Sequence, residues 1–548
     1  MNKISTPTVS NRHSISRCIP LFSFVFLLAA TASPMHAQNC TPATMFDYLD
    51  INNVKARINN GGDMWWDLDS TAEYLVPKSG NVSSAYAAGF WIGGVDQQGT
   101  LHMAAQTYRQ AGNDFFPGPL DESGNVSNQT CSDFDRIWKV NKSTIDSFTQ
   151  GLYSTVPASI SEWPGRGNPE LSFLPDQDLA PFVDVNDDGL YNPADGDYPG
   201  VPGDQALWYV INDAGNTHTQ TGGLPLNIEV QVLAYAYNDS LTCLGTTTFY
   251  HYRLINKSLN TYQGMYMGLW TDPALGCQRD DYMGCDTSHN IAIVYNAEKV
   301  DSGCALDYGN HPPVFAIDIL KGPTGNTGIT HYMDFMMIYR NDSSVYGNPE
   351  VAADYHNYLK AVYKNNSHLK NPLTNHATDF AFPSDPSNAT GWSMCATNAP
   401  LNDLRMVVSA GPISFETNEV QTFDFAAVWD SNSVYPCPSY SAIISAANCV
   451  KDHFDNDVVF TGVQNLLPAA NNVNVFPNPS ANNSSIHFDF RNADRLEIFD
   501  LAGKKLFEDD VKNKTSFSLP ASELGKGMFI YTLRFSNQIN QSGKLVIE

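Results

Sequence analysis

Short apolar segments punctuated by polar turns fill the middle of the chain. The segments NIEVQVLAYAYND (227–239), TTTFYHYRLINKS (246–258), YQGMYMGLW (262–270), NIAIVYN (290–296), VFAIDIL (314–320), YMDFMMIYR (332–340), LRMVVSAGPISF (404–415) and VQTFDFAAVWD (420–430) are rich in β-branched and aromatic residues. Asn, Asp, Gly and Pro turns separate them, so the pattern predicts a run of strands and, with so many of them, a β-sandwich. Upstream, AAGFWIGGVDQQGTLHMAAQTYR (87–109) reads as a hairpin around an Asp- and Gly-containing turn. Two segments break this pattern. NPEVAADYHNYLKAVYKNN (348–366) and, more strongly, SYSAIISAANCVKDHF (439–454) have helical spacing.

A second, shorter set of strands follows LLPAANN (466–472), which has the composition of a linker. NVNVFPNPS, SIHFDF, DRLEIFDLAGKKLF, TSFSLP, GMFIYTLRF and GKLVIE predict a compact β-sandwich of their own, with a hairpin turning at Ala502-Gly503. The fold class is therefore mainly β and multidomain. Residues 1–37 form a signal peptide, 38–199 a mixed or β region, 200–465 a sandwich-like main domain and 473–548 a small terminal domain. The signal assignment rests on Lys3, Arg12 and Arg17 ahead of LFSFVFLLAATA (21–32), with cleavage expected after Ala37. No later apolar run has the length to cross a bilayer.

Composition adds a sign. With 31 Lys and Arg against 57 Asp and Glu, the formal charge is −26, which opposes nucleic-acid binding and favours metal cations or neutral and cationic surfaces. Removing Cys18 with the signal leaves nine cysteines, an odd number, so at least one thiol has no partner within the chain. Their spacings are not those of zinc ligands, and structural disulfides suit an exported chain, although the pairing is open.

The most specific chemistry lies in DVNDDGLYNPADGDYP (184–199). Asp184, Asn186, Asp188, the Leu190 carbonyl, Asn192 and Asp195 fall at positions 1, 3, 5, 7, 9 and 12 of a calcium loop, with Gly189 at the sharp turn. The loop resembles those of dockerin and EF-hand modules. Asp195 is shorter than the usual Glu, and Pro193 with PADGDYPGVPGD opposes an exiting helix. The expectation is an isolated calcium-stapled loop, set against a solvated Asx-rich turn; Asp197 and Asp204 are outer ligands or surface carboxylates. A second set, Asp272, Asp280, Asp281 and Asp286 in WTDPALGCQRDDYMGCD, is balanced between a solvated loop and a metal site, with Arg279 available to neutralise it.

Catalytic motifs are sparse. GxSxG, HExxH and the P-loop are absent. Trp65, Trp66, Trp91 and Trp163 suit either sugar stacking or core packing, and no carboxylate pair stands out as a glycosidase couple. Arg109 and Arg405 suit an anionic ligand or, more ordinarily, an internal carboxylate. His251 reads as packed or hydrogen-bonded on a strand, and Cys395 as half of a disulfide.

The terminal region resembles the type A C-terminal sorting domain of Bacteroidetes type IX secretion substrates. The residues that carry the resemblance are VFPNPS (475–480), LEIFDLAGKKLF, LPASELGKGMFIYTLRF and the final GKLVIE. It implies the type IX secretion machinery as a partner, and a secreted or outer-membrane cell-surface location. The body resembles a recurrent class of secreted proteins of the same group, through INNGGDMWWD (58–67), FWIGGVD (90–96), AAQTYRQAGNDFFPGPLD (104–121), LWTDPALG (269–276), DDYMGCD (280–286) and SAGPISF (409–415). That likeness implies no activity. The expected function is a noncatalytic exoprotein for adhesion or glycan binding, with cell-surface polysaccharide or extracellular glycan as partner and structural calcium. The alternative is a secreted carbohydrate-active or other hydrolytic enzyme.

Overall fold

The computed structural model describes residues 39–458 and, between 474 and 547, all but 483, 490–492, 501–503, 513, 515 and 535–540. The expected signal peptide, the 466–472 linker and the Ala502-Gly503 turn lie outside the described residues.

Two large antiparallel sheets form the body. One runs in the order Phe335–Arg340, Leu404–Phe415, Tyr262–Asp272, Ala87–Val95, Asp63–Met64, Lys55–Asn59, Tyr74–Leu75, Ser83–Ala85, with Phe46–Leu49 and Leu101–Ala105 added at its side. The other runs Asp281–Asp286, Ile291–Asn296, Val314–Lys321, Val420–Asp430, Thr247–Asn256, Ile228–Ala236, Gln205–Asn212, Phe116–Pro117, with Trp138–Asn141 also on Gln205–Asn212. Rings interlock between the sheets: Phe90 stacks on Tyr252 at 5.0 Å, and Trp65 meets Tyr250 edge-on at 6.0 Å. Both sheets feed one apolar core, so the body is the expected sandwich. Ala87–Val95 pairs with Tyr262–Asp272, and Trp138–Asn141 with Gln205–Asn212. Sequence on either side of residue 199 thus contributes strands to the same sheets.

All eight predicted strands of the centre are present. Gln205–Asn212 was not expected. It is buried along its whole length, as is its neighbour Ile228–Ala236. The hairpin at 87–109 turns on Asp96, whose Oδ1 accepts from Gln98 N and Thr100 N at 2.9 and 2.8 Å, while Gly99 supplies φ +82°. The helices form where spacing placed them, as Ala352–Tyr358 and Ser441–Asp457. The long one packs on Val314–Lys321 and Val420–Asp430 and is bound to the sandwich by Cys243–Cys449.

Cys40–Cys131, Cys277–Cys304 and Cys395–Cys437 complete four disulfides. Cys285 is the odd thiol. It is buried, donates to Ala381 O at 3.5 Å, and burial pushes its ionisation upward, which makes it inert.

The terminal domain has a core of its own, built on Ile486, Phe488, Leu496, Ile498, Leu519, Leu533 and Leu545. Asn474–Phe476, Ser485–Asp489 and Ser516–Pro520 make one sheet; Lys505–Asp510, Arg495–Asp500, Gly527–Arg534 and Gln541–Ile547 make the other.

Candidate functional site

The acidic loop sits between two short paired strands, Phe182–Val183 and Tyr198–Pro199. Buried Asp197 holds its neck closed by accepting from Val185 N and Asn192 N, both at 2.8 Å. Inside, the Asp184 carboxylate accepts from Asp187 N at 2.7 Å and Gly189 N at 2.7 Å, with Asp187 and Gly189 in the left-handed region. Asp188 Oδ1 accepts from Leu190 N at 2.8 Å, and Asn186 Nδ2 donates to Asp188 Oδ2 at 3.0 Å. Asn192 caps the turn Pro193–Asp195 and donates from Nδ2 to Asp195 Oδ2 at 2.6 Å. The side-chain donors are hard oxygens, and the Asp184–Leu190 half is closed by its own carboxylate-to-backbone hydrogen bonds. The carboxylates are not gathered, because no three of them bring one oxygen each within 4.8 Å of one another.

The second acidic set is divided. Asp272 is buried beside Arg405 at 2.9 Å and receives the Tyr108 hydroxyl. Its carboxyl is pushed up to about 7 by burial, against the pull of Arg405 and Tyr108. Asp286 accepts from Ser288 Oγ at 2.5 Å and lies 3.0 Å from His289 Nδ1; these bonds outweigh burial and lower its ionisation. Asp280 instead approaches Asp301, a residue outside that set. Burial and the Asp301 charge push Asp280 up to about 6, and burial raises Asp281 well above the carboxylate range. The third group beside Asp280 and Asp301 is Cys277, whose sulfur is tied to Cys304 and is no thiolate ligand.

The sequence-selected aromatics and arginines are structural. Trp65, Trp66, Trp91 and Trp163 are at most 1% exposed, so none can stack on a ligand. Arg109 pairs with buried Asp63 at 2.8 Å and packs against Gly61, where a Cβ would lie 2.4 Å from its guanidinium. Arg405 bridges Asp272 and Asp403, and His251 Nδ1 meets Asp424 at 2.6 Å.

A cavity of about 680 Å³ opens instead beside the edge strand Phe335–Arg340. Residues 338–340 form its floor, and the segments 346, 363–372 and 381–402 form its walls. Arg340 N donates to Tyr346 O at 2.9 Å, which folds the 341–347 turn back over the strand. Tyr346, 45% exposed, meets Tyr363 edge-on at 4.7 Å; across the cavity Phe382 leans on Trp392 at 5.0 Å. Cys395–Cys437 ties down the far wall, where Ala399 O accepts from the Tyr282 hydroxyl at 2.6 Å. Ser367, Thr397, Asn402 and His368 supply neutral hydrogen-bonding groups, and Arg340 and Lys370 supply cations. No Asp or Glu lines the cavity, and the Ser367 hydroxyl donates to Asn365 Oδ1 at 2.6 Å. The lining thus offers ring faces and hydrogen bonds without the carboxylate pair of a glycosidase or an activated serine. Sequence reasoning missed it because its residues come from four separate segments. The available signal was a pair of cations, Arg340 and Lys370, beside tyrosines in a chain short of cations.

Residues 474–548 match the secretion system C-terminal sorting domain family, over the stretch that folds as the terminal sandwich. The chain is therefore a type IX secretion substrate, secreted or attached at the cell surface, and the secretion machinery is its partner. No helix among the described residues is long and apolar enough to cross a membrane. No curated protein matches the chain. Among solved structures, a polysaccharide lyase aligns with 58% of this chain and 34% of its own length at 8% identity and a TM-score of 0.17. The adhesin domain of Epf from Streptococcus pyogenes aligns with 55% of this chain and 80% of its own at 7% identity and a TM-score of 0.12. The chain spans about a third of the lyase, and scores this low carry no argument about fold or activity.

Proposed function

We propose that the protein is a noncatalytic exoprotein that binds saccharide at the cell surface or in the extracellular matrix, through the cavity beside Phe335–Arg340. The observation that carries this reading is the lining: exposed Tyr346 against half-buried Tyr363, and neutral hydrogen-bonding groups, with no carboxylate. Such walls suit sugar rings, whose apolar faces pack on aromatic side chains while hydroxyls meet polar ones. The volume lies within the range of small-ligand sites.

The test is calorimetric titration of the purified protein with a panel of neutral and charged polysaccharides. At least one is expected to bind, and Tyr346→Ala to weaken that binding about tenfold with the melting temperature unchanged, since the side chain is 45% exposed. Absence of binding across the panel, or binding indifferent to Tyr346→Ala, contradicts the reading.

Calcium belongs to the same proposal as a structural ion at Asp184, Asn186, Asp188, Leu190, Asn192 and Asp195. It would brace an exposed loop that has few apolar contacts, which suits an extracellular protein facing proteases. The protein is expected to bind calcium stoichiometrically and to become sensitive to proteolysis near residues 185–190 in EDTA. Calcium binding that is unchanged in Asp188→Ala rules out this ligand set.

A further inference from the structure

We infer that the cavity selects anionic saccharides, those bearing carboxylate or sulfate groups; this rests on the saccharide-binding reading. The argument is one of charge. Asp and Glu outnumber Lys and Arg by 57 to 31, yet the cavity lining holds two cations, Arg340 and Lys370, with the His368 ring beside them, and no acid. His368 and Lys370 are exposed, as is Arg340 at the end of its strand. Among the described residues, no ion pair involves any of the three. Arg57, Arg109, Arg166 and Arg405, by comparison, each hold a carboxylate within 3 Å.

Unpaired cations gathered at a concave site are donors with capacity to spare. A guanidinium takes a carboxylate or sulfate through two parallel hydrogen bonds, and an ammonium adds a point charge. Tyr346 and Tyr363 then supply the ring contact, and Ser367, Thr397 and Asn402 the hydroxyl partners, a mixture that fits a sugar better than an acidic peptide. The chain's overall negative field repels a polyanion at long range. At physiological salt that field is screened beyond about 8 Å, so pairing inside the cavity decides the outcome.

The experiment compares the full-length protein with Arg340→Gln and Lys370→Gln against a uronate polymer, a sulfated polysaccharide, a neutral glucan and poly-glutamate at 0.15 M salt. The expected result is tighter binding of either or both anionic polysaccharides than of the glucan, with each substitution costing about tenfold in affinity for the anionic polymers and less for the glucan. The uronate and sulfate arms tell the two anion sources apart. Equal affinity for the neutral glucan, or anionic binding untouched by both substitutions, overturns anion selection and leaves saccharide binding standing. Poly-glutamate binding as tightly as the polysaccharides overturns the saccharide class. Failure of every polysaccharide overturns both readings.

Discussion

Deleting residues 474–548 is expected to leave the protein in the periplasm, with the surface and medium pools reduced to background. The reason is that the deleted segment carries the sorting-domain match and a core of its own. Its two small sheets enclose Ile486, Phe488, Leu496, Ile498, Leu519, Leu533 and Leu545 in a core of their own, so a receptor meets a defined surface and reads it as an address. The body's core contains none of these residues, and its folding is expected to survive the deletion. Fractionation with an antibody to the body separates the outcomes. Periplasmic, protease-resistant body fits the account; undiminished delivery of the truncated chain contradicts it. The converse follows from the same reasoning, with residues 459–548 fused to a periplasmic reporter carrying the reporter out of the cell.

Arg405→Met is expected to destabilise the body by about 3 kcal/mol at pH 9, with a smaller loss at pH 6. Arg405 and Asp272 are each 5% exposed and lie 2.9 Å apart. Removing the guanidinium leaves a buried carboxylate with only the Tyr108 hydroxyl. The sign follows from linkage. Asp272 ionises in the folded protein at about 7, above its unfolded value, because burial disfavours the charge. Its contribution to stability is therefore fully present below the unfolded pKa and lost as pH rises through about 7. Without Arg405 the folded value rises further, so the loss continues above pH 7 in the variant after it has levelled off in the parent. Urea denaturation at the two pH values measures this, and adding Asp272→Asn to Arg405→Met is expected to remove the pH dependence of the difference. An equal loss at both pH values contradicts the assignment.

Much of the architecture was legible in the chain because strands concentrate β-branched and aromatic residues between polar turns. Ile228–Ala236, Thr247–Asn256 and Val420–Asp430 carry β-branched and aromatic residues between polar turns, and each forms where expected. Gln205–Asn212 was missed although its neighbour Ile228–Ala236 is as fully buried; only its pairing with Ile228–Ala236 and Trp138–Asn141 places it in the sheet. The site was less legible, since chemistry depends on which distant segments meet. Arg109 and Arg405 attracted notice as rare cations, yet each lies against a buried acid. Arg340 and Lys370 drew none, because only the turn at 341–347 and the loop at 363–372 bring them to one cavity. Likewise, spacing within DDYMGCD could not reveal that Asp280 would approach Asp301, which lies across a loop closed by Cys277–Cys304.

Saccharide binding at the edge of the sandwich is tested most directly by backbone hydrogen exchange of the intact protein, with and without the polysaccharide it binds. The account predicts slowed exchange confined to the cavity walls, at residues 341–347, 363–372 and 392–402, with the acidic loop at 184–195 unchanged. Protection elsewhere on the body with these walls unaffected would contradict it.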